Sequence, residues 1–397
     1  MSLHPIDAVG AAAVAAALSA VATPFAARLA VRLGAVDEPR ERGLSHRATP
    51  RLGGLAILFG AVVAGLLWLP DARPYPEVFF GALAIALVGA LDDLFDLPPW
   101  VKLGGQLGAC ALPVAAGVTV HAFTLPFVHR VDLGDLGGPL TLLGIVLVVN
   151  VVNLSDGIDG LASGVSAIAA LSFAVIAFDL GKPVAAVLAA IVAGSALGFL
   201  LHNFHPASVF MGDCGSNLLG YLLGIVIVEG TLKTNALIAL VGPLVILAVP
   251  FLDTTFVVLK RMKYRRPIYR ADANHFHHRF SRIGFSQRRT VLYLYAWMLS
   301  MAGLAIALRF VPYSDRSGHL HVGWSLFMGV LGLVVVAASV YLVYVLEILK
   351  VKRLDAIRLR RTGASDDEID AEVERRLETG EFEAVRRPTE EFDKVAE

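Results

Sequence analysis

The sequence predicts an all-α polytopic membrane protein with about eleven transmembrane helices. The 397 residues are 56% hydrophobic and have a mean hydropathy of +0.68. Charged residues make up 17% of the chain, whereas soluble domains contain about 25%. Long apolar runs recur along the chain, and runs of about 17 to 25 residues are long enough to cross a hydrocarbon core of roughly 30 Å. The composition therefore excludes an ordinary soluble enzyme.

Hydropathy places the apolar runs in order along the chain. Their approximate bounds are 6–31, 53–69, 77–91, 100–120, 138–154, 160–178, 183–201, 215–232, 235–259, 290–311 and 322–346. These runs define a transmembrane domain at residues 1–350, which leaves a charged C-terminal tail at residues 351–397. No function is predicted for this tail.

Basic residues are concentrated in alternate loops. The segments that follow the first, ninth and eleventh runs are rich in arginine and lysine, while the intervening even-numbered loops hold roughly one basic residue each. Because basic residues in short loops favour the cytoplasm, the N-terminus is expected outside and the C-terminal tail in the cytoplasm. The first run has no basic stretch before it, so it is expected to remain as an uncleaved span.

Five polar clusters interrupt the apolar pattern, and with this orientation all of them lie on the cytoplasmic side. In chain order they are SHRATPRLGG, LDDLFDLPPWVKLGGQ, NVVNLSDGIDGLASG, HNFHPASVFMGDCGSNLLG and ADANHFHHRF. Charged residues at helix ends are usually only solvated or snorkelling groups, but the external loops of similar length contain no such clusters. The asymmetry predicts one cytoplasmic active site.

The clusters contain a set of carboxylates: Asp92, Asp93, Asp156, Asp159 and Asp213. Such hard oxygen ligands suit Mg²⁺, which prefers carboxylates together with substrate phosphate oxygens and retained waters. Carboxylates beside a membrane are a functional hypothesis by default, since each must be paired, hydrated or bound to a cation. For the cluster that contains Asp156 and Asp159, the alternative is a glycine hinge whose acids only face water.

The fifth cluster contains three histidines and one arginine. His275, His277 and His278 are in principle zinc ligands, but Arg279 and further arginines surround them, which favours a phosphate-binding site. Glycines beside the acids expose backbone N–H groups at helix starts, and such groups favour anions. Acids for a metal, cations for phosphates and glycine-flanked helix ends together indicate phosphoryl transfer.

In their order, the five clusters resemble those of the polyprenyl-phosphate N-acetylhexosamine-1-phosphate transferase family (glycosyltransferase family 4), to which the phospho-MurNAc-pentapeptide translocases are related. The resemblance runs from about Pro50 to His278. It implies transfer of N-acetylhexosamine-1-phosphate, with GlcNAc as the default sugar, from a UDP-sugar to polyprenyl phosphate, with release of UMP. It also implies Mg²⁺ as cofactor, with Mn²⁺ as a substitute, a place in the bacterial plasma membrane and no nucleic-acid partner. A homodimer rests on the resemblance alone.

Matching motifs carry the family's functional residues onto this chain. The resemblance implies that Asp213 is the principal magnesium ligand, with Asp92 as a second, and that Asp92 and Asp93 face the lipid phosphate. Asn203 and Phe210 resemble the amide and the ring that bind uracil. The expected catalytic residues are Asp92, Asp93, Asp156, Asp159, Asp213, His277 and His278. The expected substrate-binding residues are Asn150, Asn153, Asn203, Phe210, Lys102, Arg51, His275 and Arg279.

Two departures from the translocase pattern favour the simple hexosamine branch. The translocases carry three consecutive histidines and then a glutamate, whereas HFHHRF splits the histidines and ends in Arg279 and Phe280. Asp96 stands where the translocases have a lysine. A phospho-MurNAc-pentapeptide transferase is thus the alternative within the family. A secondary transporter is the alternative of another class, but transporters place ionisable groups near the bilayer midplane between repeats, and the sequence shows no repeat.

Two mechanisms remain open for such a transfer. A phosphate monoester has a second pKa near 6, so polyprenyl phosphate is largely a dianion at pH 7 and needs no base. Direct attack by the lipid phosphate is therefore expected, with Asp92 and Asp93 orienting the acceptor. The alternative is a covalent phospho-enzyme on one aspartate of this pair.

Overall fold

The computed structural model describes residues 3–37, 48–125, 129–232, 237–263, 280, 285–312 and 321–352. Its α-helices are α1 (Pro5–Leu33), α2 (Gly54–Trp68), α3 (Tyr75–Phe95), α4 (Pro99–Ala115), α5 (Gly137–Ser155), α6 (Leu161–Asp179), α7 (Pro183–Asn203), α8 (Gly212–Ile227), α9 (Leu237–Ile246), α10 (Ala248–Lys263), α11 (Gln287–Phe310) and α12 (Val322–Lys352). A 3₁₀ turn at Gly134–Leu136 leads into α5, and a π-helical turn at Val228–Leu232 extends α8.

Two short antiparallel hairpins join helices in the described part of the chain. β1 (Val36–Asp37) pairs with β2 (Thr49–Pro50) between α1 and α2. β3 (Ala122–Leu125) pairs with β4 (His129–Asp132) between α4 and α5. The backbone N–H of Phe210 donates to the carbonyl of the last residue of β2 at 2.7 Å. The first hairpin is therefore tied to the segment that leads into α8.

Each apolar run predicted from the sequence coincides with helix in the described residues. The segments that are long and apolar enough to cross a membrane are α1, α3, Gly134–Ser155, α6, α7, α11 and the Val322–Leu342 part of α12. α2, α4 and α8 are shorter, with 15, 17 and 16 residues. The structure confirms an all-α polytopic membrane protein, while the number of eleven spans and the orientation of the termini stay predictions.

The ninth apolar run is divided, in contrast to the single helix that hydropathy predicts. α9 ends at Ile246 and α10 begins at Ala248, with Leu247 between them. Pro250 lies in the first turn of α10 and has no N–H to donate to the carbonyl of Ile246, so the ladder of hydrogen bonds is interrupted. The break leaves helices of 10 and 16 residues.

α8 lies in the core of the helix bundle. All its residues from Cys214 to Ile227 are buried, and it packs against α3 and α5. α6 and α7 pack on each other and are buried over most of their length, whereas most of the Val322–Leu342 part of α12 is exposed. The exposed apolar side chains of the outer helices, such as Leu326 and Val334, are the surface expected to face lipid.

Two glycines bring α2 and α3 into backbone contact with the start of α8. A Cβ atom on Gly89 of α3 would lie 2.4 Å from the carbonyl oxygen of Asp213, and one on Gly54 of α2 would lie 2.2 Å from the nitrogen of Gly215. Interiors packed to crystal-like density have no room for such an overlap. The first turn of α8 therefore packs directly against the backbones of α2 and α3.

We expect Gly89→Ala to lower the thermal unfolding temperature of the purified protein in detergent. The added methyl group would overlap the backbone at Asp213, and overpacking of this kind costs about 1–3 kcal/mol. Gly108→Ala on α4 is the matched control, because no atom lies within 4 Å of its Cβ position, and it should unfold at the wild-type temperature. Equal unfolding temperatures for the two variants would contradict the close contact between α3 and α8.

Candidate active site

Four helix ends meet in one polar cluster. Asp92 and Asp93 lie in the last turn of α3, and Lys102 lies in the first turn of α4. Asn153 belongs to the last turn of α5, and Asp213 to the first turn of α8. All five residues are half-buried. Their charges therefore interact in partly desolvated surroundings, where electrostatic interactions are stronger than in water.

The turn between α3 and α4 brings Lys102 close to Asp92. α3 ends just before Asp96, which adopts a left-handed conformation with a φ of 49°. The backbone N–H of Leu97 then donates to Asp92 Oδ1 at 2.8 Å. Pro99 begins α4, a position where its missing N–H costs nothing. The connection is short enough to place the first turn of α4 beside the last turn of α3.

The Lys102 ammonium bridges two carboxylates. Its Nζ lies 2.9 Å from Asp92 Oδ2 and forms a second ion pair with Asp213 Oδ2. It also lies 3.5 Å from Asn153 Oδ1. Lys102 and Asp213 are 111 positions apart in the sequence, so their contact depends on how α4 and α8 are packed. One positive charge is thus shared between two acids.

Asp93 caps the start of α8 from a neighbouring helix. Its Oδ1 accepts the backbone N–H of Asp213 at 2.9 Å, and its Oδ2 accepts that of Cys214 at 3.0 Å. The first N–H groups of a helix have no partner within it, and the helix dipole favours a negative charge there. Gly212, with a φ of 69°, leaves room, since a Cβ there would lie 2.4 Å from Asp93 Oδ2. Both carboxylate oxygens of Asp93 therefore bind backbone donors.

The Asp213 carboxylate is held on both sides. Asn153 Nδ2 donates to Asp213 Oδ1 at 3.0 Å and to Ser216 Oγ at 2.8 Å. Lys102 pairs with the other oxygen of Asp213, and Asp93 holds its main chain. The orientation of this carboxylate is therefore set by α3, α4 and α5 together.

The loop between α5 and α6 is fixed to the segment between α7 and α8. Asp159 Oδ2 accepts from His205 Nδ1 at 2.7 Å and from the backbone N–H of Ala207 at 3.1 Å. Asn203 is only 2% exposed, and its Oδ1 accepts the backbone N–H of Gly160 at 3.1 Å. The third and fourth sequence clusters thus form one unit. In this arrangement the side chains of Asp159 and Asn203 hold the two loops together.

Asp156 follows the last residue of α5. Burial, together with the negative charges of Asp213, Asp93 and Asp159, raises the pKa of Asp156 to about 8. The side chain is still partly exposed. A bound cation would relieve the repulsion among these carboxylates that contributes to this raised pKa.

α11 is bound to the same loop. The Tyr295 hydroxyl donates to the carbonyl of Gly160, and Arg288 Nε donates to the carbonyl of His205 at 2.9 Å. Phe280, the last residue of the histidine-containing cluster, is buried. Its ring packs against those of Phe285 and Tyr293 near the start of α11.

The remaining predicted site residues lie around the cluster or outside the described residues. Asn150 lies one turn deeper on α5 and donates to Gln106 Oε1 at 2.8 Å. Arg51 forms an ion pair with Asp37 of β1, and Phe210 is half-buried. The residues that lie outside the described part of the chain, and whose roles stay predictions, are His275, His277, His278 and Arg279.

The sequence prediction omitted Gln106, Asn217 and His205. Gln106 and Asn217 stand four residues after Lys102 and Asp213, so the periodicity of an α-helix was the signal that places them on the same faces. His205 belongs to a cluster that was singled out, but its pairing with an acid of another loop had no signal in the sequence.

The oxygen atoms of the cluster fit a hard divalent cation. Asp213, Asp92 and Asn153 place two carboxylates and one amide oxygen around the Lys102 ammonium, which is itself a cation. Within the described ranges, no group of three Asp, Glu, His or Cys side chains forms a metal site by itself. Mg²⁺ commonly uses one or two carboxylates and completes its shell with phosphate oxygens and water. The residues present therefore fit Mg²⁺ together with a phosphate-bearing substrate.

This part of the chain is similar in sequence to known proteins. The sequence model described as glycosyl transferase family 4 matches residues 75–231, a range that contains all five acids of the site. A probable undecaprenyl-phosphate N-acetylglucosaminyl 1-phosphate transferase of Bacillus subtilis is 40% identical over 291 residues, which are 72% of this chain and 81% of the relative.

Two further relatives differ in the sugar that their names state. A decaprenyl-phosphate N-acetylglucosaminephosphotransferase of Mycolicibacterium smegmatis is 35% identical over an alignment of 330 residues, which covers 75% of this chain and 81% of the relative. A phospho-N-acetylmuramoyl-pentapeptide-transferase of Moorella thermoacetica is 31% identical over an alignment of 285 residues, which covers 67% of this chain and 86% of the relative.

Proposed function

The chain belongs to glycosyl transferase family 4, and from this membership we propose that it transfers N-acetylglucosamine 1-phosphate from UDP-GlcNAc to polyprenyl phosphate. The products are polyprenyl-diphosphate-GlcNAc and UMP. The names of two relatives support the transfer of GlcNAc phosphate to a polyprenyl phosphate. The nucleotide donor, its product and a place in a bacterial plasma membrane are parts of the proposal.

The choice of sugar rests on similarity and on the histidine-containing cluster. The relatives named for GlcNAc are 40% and 35% identical to this chain, against 31% for the muramoyl-pentapeptide transferase. The split histidines of HFHHRF favour the same branch. Phospho-MurNAc-pentapeptide transfer is the alternative within the family.

The observation that carries the proposal is the arrangement around Asp213. Its carboxylate lies between Lys102 and Asn153, and Asp93 holds its backbone. The Lys102 ammonium, which Asp92 and Asp213 hold in place, needs no reorganisation when negative charge develops on a reacting phosphate. Such preorganised electrostatic stabilisation is commonly the largest contribution to catalysis.

Asp213 and Asn153 are the residues that would hold Mg²⁺, with Asp92 as a further candidate. When bound, the ion would supply positive charge that neutralises the donor diphosphate as UMP departs. Lys102 adds a positive charge beside them and can donate to phosphate oxygens. Asp92, which pairs with Lys102 at 2.9 Å, orients that ammonium toward the site.

The contacts of the aspartate pair favour direct transfer over a covalent enzyme intermediate. Both oxygens of Asp93 accept backbone N–H groups of α8. Asp92 binds the backbone N–H of Leu97 with one oxygen and Lys102 with the other. Carboxylates whose charge is shared in this way are weaker nucleophiles than a phosphate dianion. In the proposed reaction the lipid phosphate attacks the donor directly, and Asp93 positions Asp213.

The donor nucleotide is expected beside the unit formed by the two loops. Asp159 and Asn203 hold these loops together, and the backbone N–H of Phe210 is bound to β2 at 2.7 Å. Because its backbone is held in this way, the half-buried ring of Phe210 remains the candidate for stacking on uracil.

UMP release from purified protein in detergent tests the reaction. With undecaprenyl phosphate, Mg²⁺ and a panel of UDP-sugars, we expect turnover with UDP-GlcNAc and a lipid-linked product. Chelation of Mg²⁺ by EDTA should abolish turnover, and excess Mg²⁺ should restore it. Without the lipid acceptor, direct transfer predicts no burst of UMP, whereas a covalent intermediate predicts one UMP per enzyme.

Two outcomes would count against this proposal. Turnover with UDP-MurNAc-pentapeptide alone would assign the chain to the other branch of the family. No turnover with any UDP-sugar, in protein whose cooperative thermal unfolding shows that it is folded, would contradict the transferase reaction.

A further inference from the structure

We infer that three amides beneath the cluster, the buried Gln106 and Asn217 and the half-buried Asn150, act as positioning residues that set the geometry of Lys102, Asn153 and Asp213. We call these three amides the amide layer. The inference rests on the proposed transferase function, since it assigns the amide layer a role in that site. None of its members contacts the reacting groups directly in the proposal.

The amide layer lies one helical turn below the charged residues on all three helices. Gln106 follows Lys102 by four residues on α4, and Asn217 follows Asp213 by four residues on α8. Asn150 precedes Asn153 by three residues on α5, which approaches the site from the opposite direction along the chain. Side chains three or four residues apart share a face of an α-helix.

Hydrogen bonds join the amide layer into a chain. Asn150 Nδ2 donates to Gln106 Oε1 at 2.8 Å, and Gln106 Nε2 donates to Asn217 Oδ1 at 3.3 Å. Asn150 Nδ2 also donates to the carbonyl of Val146 at 2.8 Å, which anchors the chain to α5. Gln106 is 1% exposed and Asn217 is 0% exposed. The amide layer thus connects α4, α5 and α8 inside an apolar bundle.

The amide layer restricts movement of the helices along their axes. Apolar surfaces in a membrane have little preference for one another over lipid, so such contacts alone allow helices to slide. Hydrogen bonds weaken steeply with distance and angle. A small shift of α4 along its axis would separate Lys102 from Asp92 and Asp213, and the hydrogen bonds of Gln106 on both sides oppose that shift.

One donor of the amide layer indicates a role other than stability. Asn217 Nδ2 is buried and has no hydrogen-bond partner within the described structure. An unsatisfied buried donor lowers stability, whereas replacing both partners of a hydrogen bond by apolar groups of similar shape is often neutral or stabilising. An apolar pair at Gln106 and Asn217 would therefore cost little stability, because the donor it leaves without its acceptor is one N–H of the half-buried Asn150.

The test uses a double variant that carries both Gln106→Met and Asn217→Leu. It is compared with the wild type and with a control variant. The control is Tyr221→Phe, one turn deeper on α8, where the Tyr221 hydroxyl donates to the carbonyl of Val78 at 2.9 Å. Turnover is measured as UMP release per folded molecule. Metal binding is measured without turnover, from free Mn²⁺ by electron paramagnetic resonance in the presence of UDP. Thermal unfolding in detergent is the third readout.

We expect the double variant to unfold near the wild-type temperature, yet to turn over and bind Mn²⁺ about 10-fold to 100-fold less well, as is typical when groups that support metal ligands are removed. Tyr221→Phe should unfold at a lower temperature with unchanged turnover and Mn²⁺ binding. Wild-type turnover and Mn²⁺ binding in the double variant would overturn the inference. The inference would also be overturned if, in both variants, turnover and Mn²⁺ binding fell in proportion to the fall in unfolding temperature.

Failure of the proposed reaction gives a different pattern. Absence of UMP release from the wild type, with Mn²⁺ binding that still depends on the amide layer, would contradict the transferase reaction and support the positioning role. Equal Mn²⁺ binding by wild type and double variant would overturn the positioning role whatever the reaction.

Discussion

Asp213→Asn is expected to lower the rate of UMP release by about 10³-fold, the size of effect found when one preorganised electrostatic group is removed from an active site. The substitution keeps the shape of the side chain but removes its charge. Lys102 then loses one of its two ion pairs, and Asn153 loses a charged acceptor. A cation would also lose its principal carboxylate ligand, so the Mg²⁺ concentration for half-maximal activity should rise.

Asp96→Asn is the matched control for this prediction. It also removes one carboxylate charge, from the cluster that contains Asp92 and Asp93, but Asp96 is exposed. Its left-handed backbone, with a φ of 49°, is a conformation that asparagine adopts readily. Initial rates of both purified variants should be compared at saturating UDP-GlcNAc and Mg²⁺. Retention of more than about a tenth of the wild-type rate by Asp213→Asn would contradict a loss of this size.

Asp93→Asn is expected to reduce both stability and activity, because Asp93 caps α8. An asparagine has one acceptor oxygen, and its NH₂ group would face the backbone N–H of Asp213 or Cys214. Loss of a helix cap costs about 0.5–2 kcal/mol. The start of α8 would shift with it, and with Asp213 displaced we expect UMP release to fall by about 10²-fold, in line with the cost of a 1 Å misplacement.

Asp92→Asn distinguishes the capping role of Asp93 from the role of Asp92, which pairs with Lys102. Its side-chain oxygen can still accept the N–H of Leu97, but the ion pair with Lys102 is lost. This variant should lose activity while its unfolding temperature stays near that of the wild type, in contrast to Asp93→Asn. Thermal unfolding of the two variants in the same detergent provides the comparison. If Asp92→Asn proved the less stable of the two, the capping role of Asp93 would be wrong.

Local properties of the sequence were enough to predict the apolar helices, the acids of the site and the family. Hydropathy alone identified the apolar runs, because the length and polarity of a segment decide whether it can reside in a bilayer. The same local reading identified Asp92, Asp93, Asp156, Asp159 and Asp213 as acids at helix ends, and the order of the clusters indicated the family. The division of the ninth run at Leu247 lay within reach of the sequence too, since Pro250 marks it.

The division of roles among these residues was decided only by the tertiary structure. Asp92 and Asp93 are neighbours in the sequence, yet one pairs with Lys102 while the other caps a helix 120 positions away. Asn150 and Asn153 belong to one motif, yet Asn153 holds Asp213 while Asn150 lies in the amide layer. The physical reason is that an α-helix turns about 100° per residue. Adjacent side chains such as Asp92 and Asp93 therefore face different helices, whereas Asn150 and Asn153 lie at different depths on one face. The packing of the helices determines which partner each side chain meets.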